Sequence, residues 1–169
     1  MLSETARVTS AAEARFRINA PNSKPRHVKV IALDHASEAV IKHLARLPWN
    51  RASFFTASTF AGEPPASGFS MPGWLSDLAG RTKDLIDEID SADLVVMVAT
   101  AGANAQAANL IGEACSLKRV NTTGLILGGA SATDDMLSKT LSQLRPWSLM
   151  LVIANGEDYI EDMLIALRA

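Results

Sequence analysis

The chain has 169 residues, of which 48% are hydrophobic and 20% are charged, as in an ordinary globular domain. A formal net charge of -2 gives no electrostatic reason to expect a nucleic acid or an anionic membrane as partner. No apolar run approaches the roughly 18 residues that span a bilayer, and the first residues lack the apolar core of a secretory signal. The single cysteine, Cys115, excludes an internal disulfide and fits a reducing cytoplasm.

Residues 1–25 differ in composition from the rest of the chain. They are rich in Ala, Ser, Thr and Arg and end in Pro21-Asn-Ser-Lys-Pro25. We expect an N-terminal arm that is either loosely held or docked on a partner subunit through Phe16 and Ile18. Residues 26–169 are predicted to form a single domain, because no internal repeat or second core is visible.

The first half of the domain begins with a predicted strand, Val28-Lys-Val-Ile-Ala-Leu33. A helix follows, with Ser37 as the expected N-cap and Pro48 closing it, and then a shorter strand over residues 52–57. The stretch 58–73 is rich in Gly and Pro and is predicted to be a lid or binding loop. Leu and Ile spaced at helical intervals predict an amphipathic helix over residues 74–89.

The strongest signal is the apolar run from Leu94 to Ala99, which predicts a strand buried on both faces in the middle of a sheet. A helix is predicted over residues 104–118, and further strands are predicted over residues 122–127 and 149–154. Each of these two strands precedes a helix. Strands that alternate with helices need right-handed crossovers and a parallel sheet covered on both sides. We therefore predict an α/β fold, a three-layer Rossmann-like sandwich of about five mostly parallel strands.

Sheets of this kind bind ligands beyond the carboxyl ends of their strands, where the strand order reverses. The strands that start at Val28 and Leu94 are the expected central pair. Backbone donors at the helix N-termini there suit a phosphate or a carboxylate. The candidate ligand-binding residues at these strand exits are Ser37, Thr100, Gly102, Asn104, Gly128, Gly129 and Ser131.

Catalytic candidates are limited to Asp34 and His35, the adjacent titratable pair at a central strand exit. A carboxylate can orient a histidine for proton transfer. The alternative is an Asp in a turn beside an exposed His, since neighbouring residues after a strand point in different directions. The acidic residues at other helix starts are better explained as caps than as metal ligands, so no metal site is predicted. The sequence identifies no cofactor.

The usual nucleotide-binding signatures are missing. The chain has no Gly-x-Gly-x-x-Gly after its first strand, no Gly-Lys-Ser/Thr phosphate loop and no Gly-x-Ser-x-Gly elbow.

Two segments carry a family resemblance: Val28-Lys-Val-Ile-Ala-Leu33 and Ala92-Asp-Leu-Val-Val-Met-Val-Ala-Thr-Ala-Gly102. There the chain resembles the nucleotide-binding half of the tubulin-like GTPases, which include the bacterial cell-division protein FtsZ. Where that family has glycines and threonines that cradle phosphates, this chain reads Ala101-Gly-Ala-Asn-Ala-Gln106. Alanine methyl groups block the close backbone approach that a phosphate needs. The resemblance implies a Rossmann-like fold with a degenerate pocket and no GTP hydrolysis.

Three functional hypotheses remain open at this point. The first is a non-catalytic or regulatory domain that binds a small anionic or nucleotide-like ligand, or a protein partner, at the carboxyl edge of the sheet. The second is a small-molecule enzyme that uses Asp34 and His35 as an acid–base pair. The third is a homo-oligomeric assembly module with a vestigial pocket.

Overall fold

A computed structural model describes residues 24–58, 75–79 and 81–169. The expected arm up to residue 23 and the expected binding loop beyond Ser58 lie outside these residues. Phe16 and Ile18, the proposed docking residues of the arm, lie outside them as well.

Strands and helices alternate along most of the described chain. The strands are β1 (Val28–Ala32), β2 (Ala52–Thr56), β3 (Leu75–Asp77), β4 (Thr82–Lys83), β5 (Leu94–Thr100), β6 (Asn121–Leu127) and β7 (Met150–Ala154). The helices are α1 (His35–Leu44), α2 (Leu85–Asp90), α3 (Ala107–Lys118), α4 (Asp134–Leu144) and α5 (Glu157–Ala166), with a 3-10 turn at Arg145–Trp147.

These strands form one sheet in the order β4-β3-β2-β1-β5-β6-β7. The five strands β2, β1, β5, β6 and β7 pair in parallel, as predicted for a Rossmann-like sandwich. The sequence prediction missed the two short strands β3 and β4, which pair antiparallel at one margin. Within the described residues the sheet therefore has seven strands, where about five were expected.

Strand β5 lies at the centre of the sheet, between β1 and β6. Its side chains from Val95 to Ala99 are fully buried. Val95, Met97 and Ala99 pack on one face of the sheet with α2, α3 and α4. Val96 and Val98 pack on the other face with α1 and α5. The prediction of a doubly buried central strand is confirmed.

The predicted helix over residues 74–89 is wrong. Residues 75–77 form strand β3, and only Leu85–Asp90 is helical in this part of the chain. Two carboxylates explain the break. Asp77 accepts the backbone N–H groups of Ala79 and Arg81 in a turn, at 3.0 and 2.9 Å. Asp84 then caps the late-starting helix α2.

Helix α1 starts earlier than expected, at His35. Its N-cap is Asp34 and not Ser37. The Ser37 backbone N–H donates to Asp34 Oδ1 at 2.9 Å, and the Asp34 N–H donates to Ser37 Oγ at 3.2 Å. Ser37 is thus the third helical residue of a reciprocal capping box. Among the described residues, no helix combines the length and apolar character needed to cross a bilayer.

Candidate functional site

The strand order reverses between β1 and β5, because β1 leads to β2 on one side and β5 leads to β6 on the other. Asp34 follows β1 at this point and is only 8% exposed. Its carboxylate accepts the Thr100 backbone N–H at 2.8 Å and the Thr100 hydroxyl at 3.0 Å. The two strand exits expected to border a ligand crevice are therefore tied to each other by a side chain of the protein.

His35 turns away from this contact. Its side chain is 85% exposed, and its Nδ1 lies 3.7 Å from Glu38 Oε2. The Asp34 carboxylate is directed at Thr100 and at the Ser37 amide. The two side chains of the predicted acid–base pair therefore point in different directions. The Asp34 carboxylate caps helix α1, and the His35 imidazole faces solvent.

The turn after β5 carries Gly102 and Asn104, two of the predicted ligand residues. Gly102 has φ of 85°, a left-handed conformation that favours glycine. Its N–H donates to Thr140 Oγ1 at 2.9 Å. The Ala105 N–H donates to Gln143 Oε1 at 2.7 Å, and the Gln106 N–H donates to Asn104 Oδ1 at 3.0 Å. The N–H groups of Gly102, Ala105 and Gln106 in this turn are therefore already bonded to oxygens of this chain.

Helix α4 supplies most of this closure. Thr140 and Gln143 lie on it, and Lys139 Nζ on the same helix donates to the Gly102 carbonyl at 3.3 Å. A Cβ at Gly102 would lie 2.7 Å from Met136 Cε, so α4 also covers this glycine at van der Waals distance. Sequence reasoning missed Thr140 and Gln143 because they lie about 40 residues further along the chain.

The remaining predicted residues, Gly128, Gly129 and Ser131, form a turn after β6. Gly128 has φ of 76°, and its carbonyl accepts both the backbone N–H and the hydroxyl of Ser131, each at 3.2 Å. A Cβ at Gly129 would meet Ile153 Cγ2 at 2.3 Å, so this glycine permits close packing against β7. The turn is joined to the β5 exit through the Ala101 N–H, which donates to the Leu127 carbonyl.

A second polar cluster lies at the exits of β1 and β2, around Glu38 in the first turn of helix α1. The Ser58 hydroxyl donates to Glu38 Oε2 at 2.5 Å, and the Thr56 hydroxyl lies 3.0 Å from the same oxygen. Lys42 Nζ is 2.5 Å from Oε1. Burial raises the pKa of Glu38, but the bonds from Lys42, Ser58 and Thr56 outweigh burial and lower it to about 2. So acidic a carboxyl is a poor general base, and the cluster serves to anchor the β2 exit.

A cavity lies at the opposite edge of the sheet, near the amino ends of β6 and β7. It is open to solvent and has a volume of about 530 Å³, with Cys115, Arg119, Thr122, Trp147 and Leu149 among its lining residues. Burial raises the pKa of the Cys115 thiol to about 12, so this cysteine is not a nucleophile at neutral pH.

No group of three or more His, Cys, Asp or Glu side chains within the described ranges could hold a metal ion.

Comparison with known proteins adds little to this geometry. No protein-family model matches the chain, and no curated protein matches it. Among solved structures it is similar to translation elongation factor SelB from Methanococcus maripaludis in its apo form, with 14% identity and a TM-score of 0.45. The match covers 85% of this chain but 37% of the elongation factor, so the chain spans little more than a third of that protein. A likeness at this level assigns neither a ligand nor an activity.

Proposed function

We propose that the chain is a non-catalytic Rossmann-like domain that acts by binding a protein partner, and that the carboxyl edge of its sheet is closed to nucleotides. The proposal rests on one observation: backbone N–H groups at this edge are hydrogen-bonded to side chains of the same chain. Asp34, Thr140 and Gln143 accept the backbone donors where a phosphate would otherwise bind.

The cost of opening this edge supports the same proposal. A ligand phosphate would have to displace Thr140 and Gln143 from the turn, and each buried donor or acceptor left unpaired costs about 1–3 kcal/mol. Lys139, whose Nζ donates to the Gly102 carbonyl, is exposed, so water and salt weaken the attraction of its charge for an anion at this turn. An anionic ligand would gain little net free energy by replacing these bonds.

The residues that resemble the tubulin-like GTPases fit a degenerate member of that group, and we propose this relation on the same grounds. Ala101 and Ala105, which stand where phosphate-cradling glycines are expected, are buried in the core. The side of the turn that would face a ligand is thus used for packing. We also propose a cytoplasmic location, which the single buried thiol of Cys115 supports.

A thermal-shift titration with GTP, GDP, NAD and inorganic phosphate, each with and without Mg²⁺, tests the proposal. A ligand present at 100 times its Kd adds about 2.7 kcal/mol of stability, which raises Tm by roughly 5–10 °C in a chain of this size. We expect no shift at about 1 mM ligand, that is, no Kd near 10 µM. A nucleotide that shifts Tm by this amount would contradict the closed edge.

The enzyme hypothesis has its own test. The wild type is assayed for turnover of a nucleoside triphosphate and of other small substrates. A turnover that disappears in His35→Ala, while the variant still folds, would contradict a non-catalytic role. His43→Ala is a matched control, because His43 is also an exposed histidine near a carboxylate, 2.9 Å from Glu157.

A further inference from the structure

The two margins of the sheet differ in how they are protected. Strand β4, at one margin, has two residues and includes Lys83. Short strands and lysines are common means of preventing a sheet edge from pairing with another chain. Strand β7, at the other margin, has five residues with the sequence MLVIA, which contains no charge and no proline. Its register with β6 is regular and has no bulge.

The outer side of β7 presents open backbone groups. The Ala101 N–H donates to the Leu127 carbonyl, so Thr123, which pairs with Met150, has its backbone groups on the β5 side, and its neighbours Thr122 and Gly124 bond to Met150. Because backbone groups alternate in direction along a strand, those of Met150, Val152 and Ala154 face β6 and those of Leu151 and Ile153 point away from it. None of the described strands pairs with that side. Two residues of β7, Leu151 and Ile153, therefore offer donors and acceptors to an added strand.

Apolar side chains border this edge on both faces of the sheet. Leu149 is 77% exposed, Met150 and Ile153 are each 45% exposed, and Tyr159 on α5 is 48% exposed. Glu157 of α5 contacts His43 of α1, and Tyr159 is two residues further on, about 200° around the helix. Tyr159 thus projects from the flank of α5 that faces away from α1, on the β7 side. We call Leu149, Met150, Ile153 and Tyr159 the β7 patch.

The size of the β7 patch matches one half of a small, specific interface. Side chains of this kind have about 200 Å² of surface each, so the exposed fractions leave roughly 400 Å² per copy. Two copies would cover roughly 800 Å², and the partly exposed Leu151 and Val152 bring the total toward the ~1,000 Å² of a specific interface. The patch has no charge that a symmetric contact would set against its like.

We propose that β7 is the contact surface for a second copy of this chain, paired antiparallel across a two-fold axis into one continuous sheet. The proposal rests on the proposed function and names its partner. A register centred on Leu151 sets this residue opposite Leu151 of the second copy, so that the open N–H of each donates to the open carbonyl of the other. The same register sets Leu149 opposite Ile153 of the second copy, so the most exposed side chains cover each other.

The first experiment measures solution mass against concentration by analytical ultracentrifugation of the full chain. We expect a reversible rise from 18.0 kDa toward twice that mass. Met150→Lys places a charge in the contact and should raise the dimer Kd by at least about tenfold. Ile165→Lys is the matched control, because Ile165 is 58% exposed on α5 but on the flank near Glu157. The control should leave Kd unchanged.

The second experiment locates the contact by amide hydrogen exchange. The outward amides of Leu151 and Ile153 should gain protection as the dimer forms, while the amide of Val152, which already faces β6, should be protected throughout. A dimer that leaves Leu151 and Ile153 exchanging freely would overturn the proposal, as would equal effects of Met150→Lys and Ile165→Lys on Kd.

Other occupants of the edge give different results. A monomer at every concentration whose β7 amides are nonetheless protected would assign the edge to residues 1–23 of the same chain and overturn the dimer. A monomer with open β7 amides would also overturn it, but would leave the non-catalytic function to a partner of another kind. Nucleotide binding in the thermal-shift titration would contradict the proposed function whatever the mass, so the two failures are distinguishable.

Discussion

Replacing Asp34 tests whether this residue is a structural tie or part of a catalytic site. In Asp34→Ala, helix α1 loses its N-cap, which costs about 1 kcal/mol. The Thr100 N–H and hydroxyl lose their acceptor in a partly buried place, which adds about 1–2 kcal/mol. We therefore expect the free energy of unfolding to fall by about 2–3 kcal/mol.

Urea unfolding at pH 7, followed by circular dichroism, measures this loss. Asp84→Ala is the matched control, because Asp84 caps α2 through the Ile86 and Asp87 amides and has no bond across the sheet. The control should cost about 1 kcal/mol, so the difference between the two variants reports the tie to Thr100. The m-value should stay constant if both variants change only native-state stability.

The contrary result is equally clear. Groups held for catalysis often reduce stability, so their replacement can make a protein more stable. If Asp34→Ala costs no more than Asp84→Ala, or stabilises the chain, the closure of the sheet edge by Asp34 is wrong. Asp34 would then again be a candidate catalytic residue.

Two further predictions concern acid stability and packing. Because the folded pKa of Glu38 is lowered to about 2, its stabilisation is present above the unfolded value of 4.5 and is lost as pH falls toward 2. Allowing for solvent screening, the loss is about 1–2 kcal/mol. Urea unfolding should show it as the amount by which the wild type loses more stability than Glu38→Gln between pH 6 and pH 3, because Asp77, whose pKa is also lowered, affects both proteins alike. A Cβ at Gly112 would lie 2.4 Å from Trp147 Cβ, so Gly112→Ala should lower stability by about 1–3 kcal/mol despite its better helix propensity. Gly156→Ala, where the added Cβ meets nothing within 4 Å, should cost no more than about 1 kcal/mol, which is the loss expected from replacing the glycine N-cap of α5 by alanine. Thermal melts of the two variants measure the difference.

Much of the fold could be predicted because hydrophobic pattern alone determines it. The run Leu94–Ala99 has no polar residue to face water, so it can lie only at the centre of a covered sheet. The antiparallel pair β3 and β4 could not be predicted in this way. Leu75, Leu85 and Ile89 fit a helical spacing, and the carboxylates of Asp77 and Asp84 override it through local hydrogen bonds.

The candidate site was less accessible to sequence reasoning, because its decisive contacts join distant parts of the chain. The exits after β1 and β5 were correctly expected to meet, yet the pattern gave no sign that Asp34 would bond to Thr100 across 66 residues. Lys29 is a similar case. It is 8% exposed within central strand β1 and pairs with Glu88 at 2.8 Å, a contact that depends on where α2 packs.

The two edges of this sheet lead to one interpretation of how the molecule works. At the carboxyl edge, where doubly wound sheets usually bind ligands, the polar groups of Asp34, Thr140 and Gln143 are bonded within the chain. At the lateral edge, β7 leaves backbone groups and apolar side chains without an intramolecular partner among the described residues. Unsatisfied polar groups and exposed apolar surface are what drive association in water. The proposed dimer would use the open backbone groups and the exposed apolar side chains of β7 together, which is why we place the contact at this edge and not at the carboxyl edge.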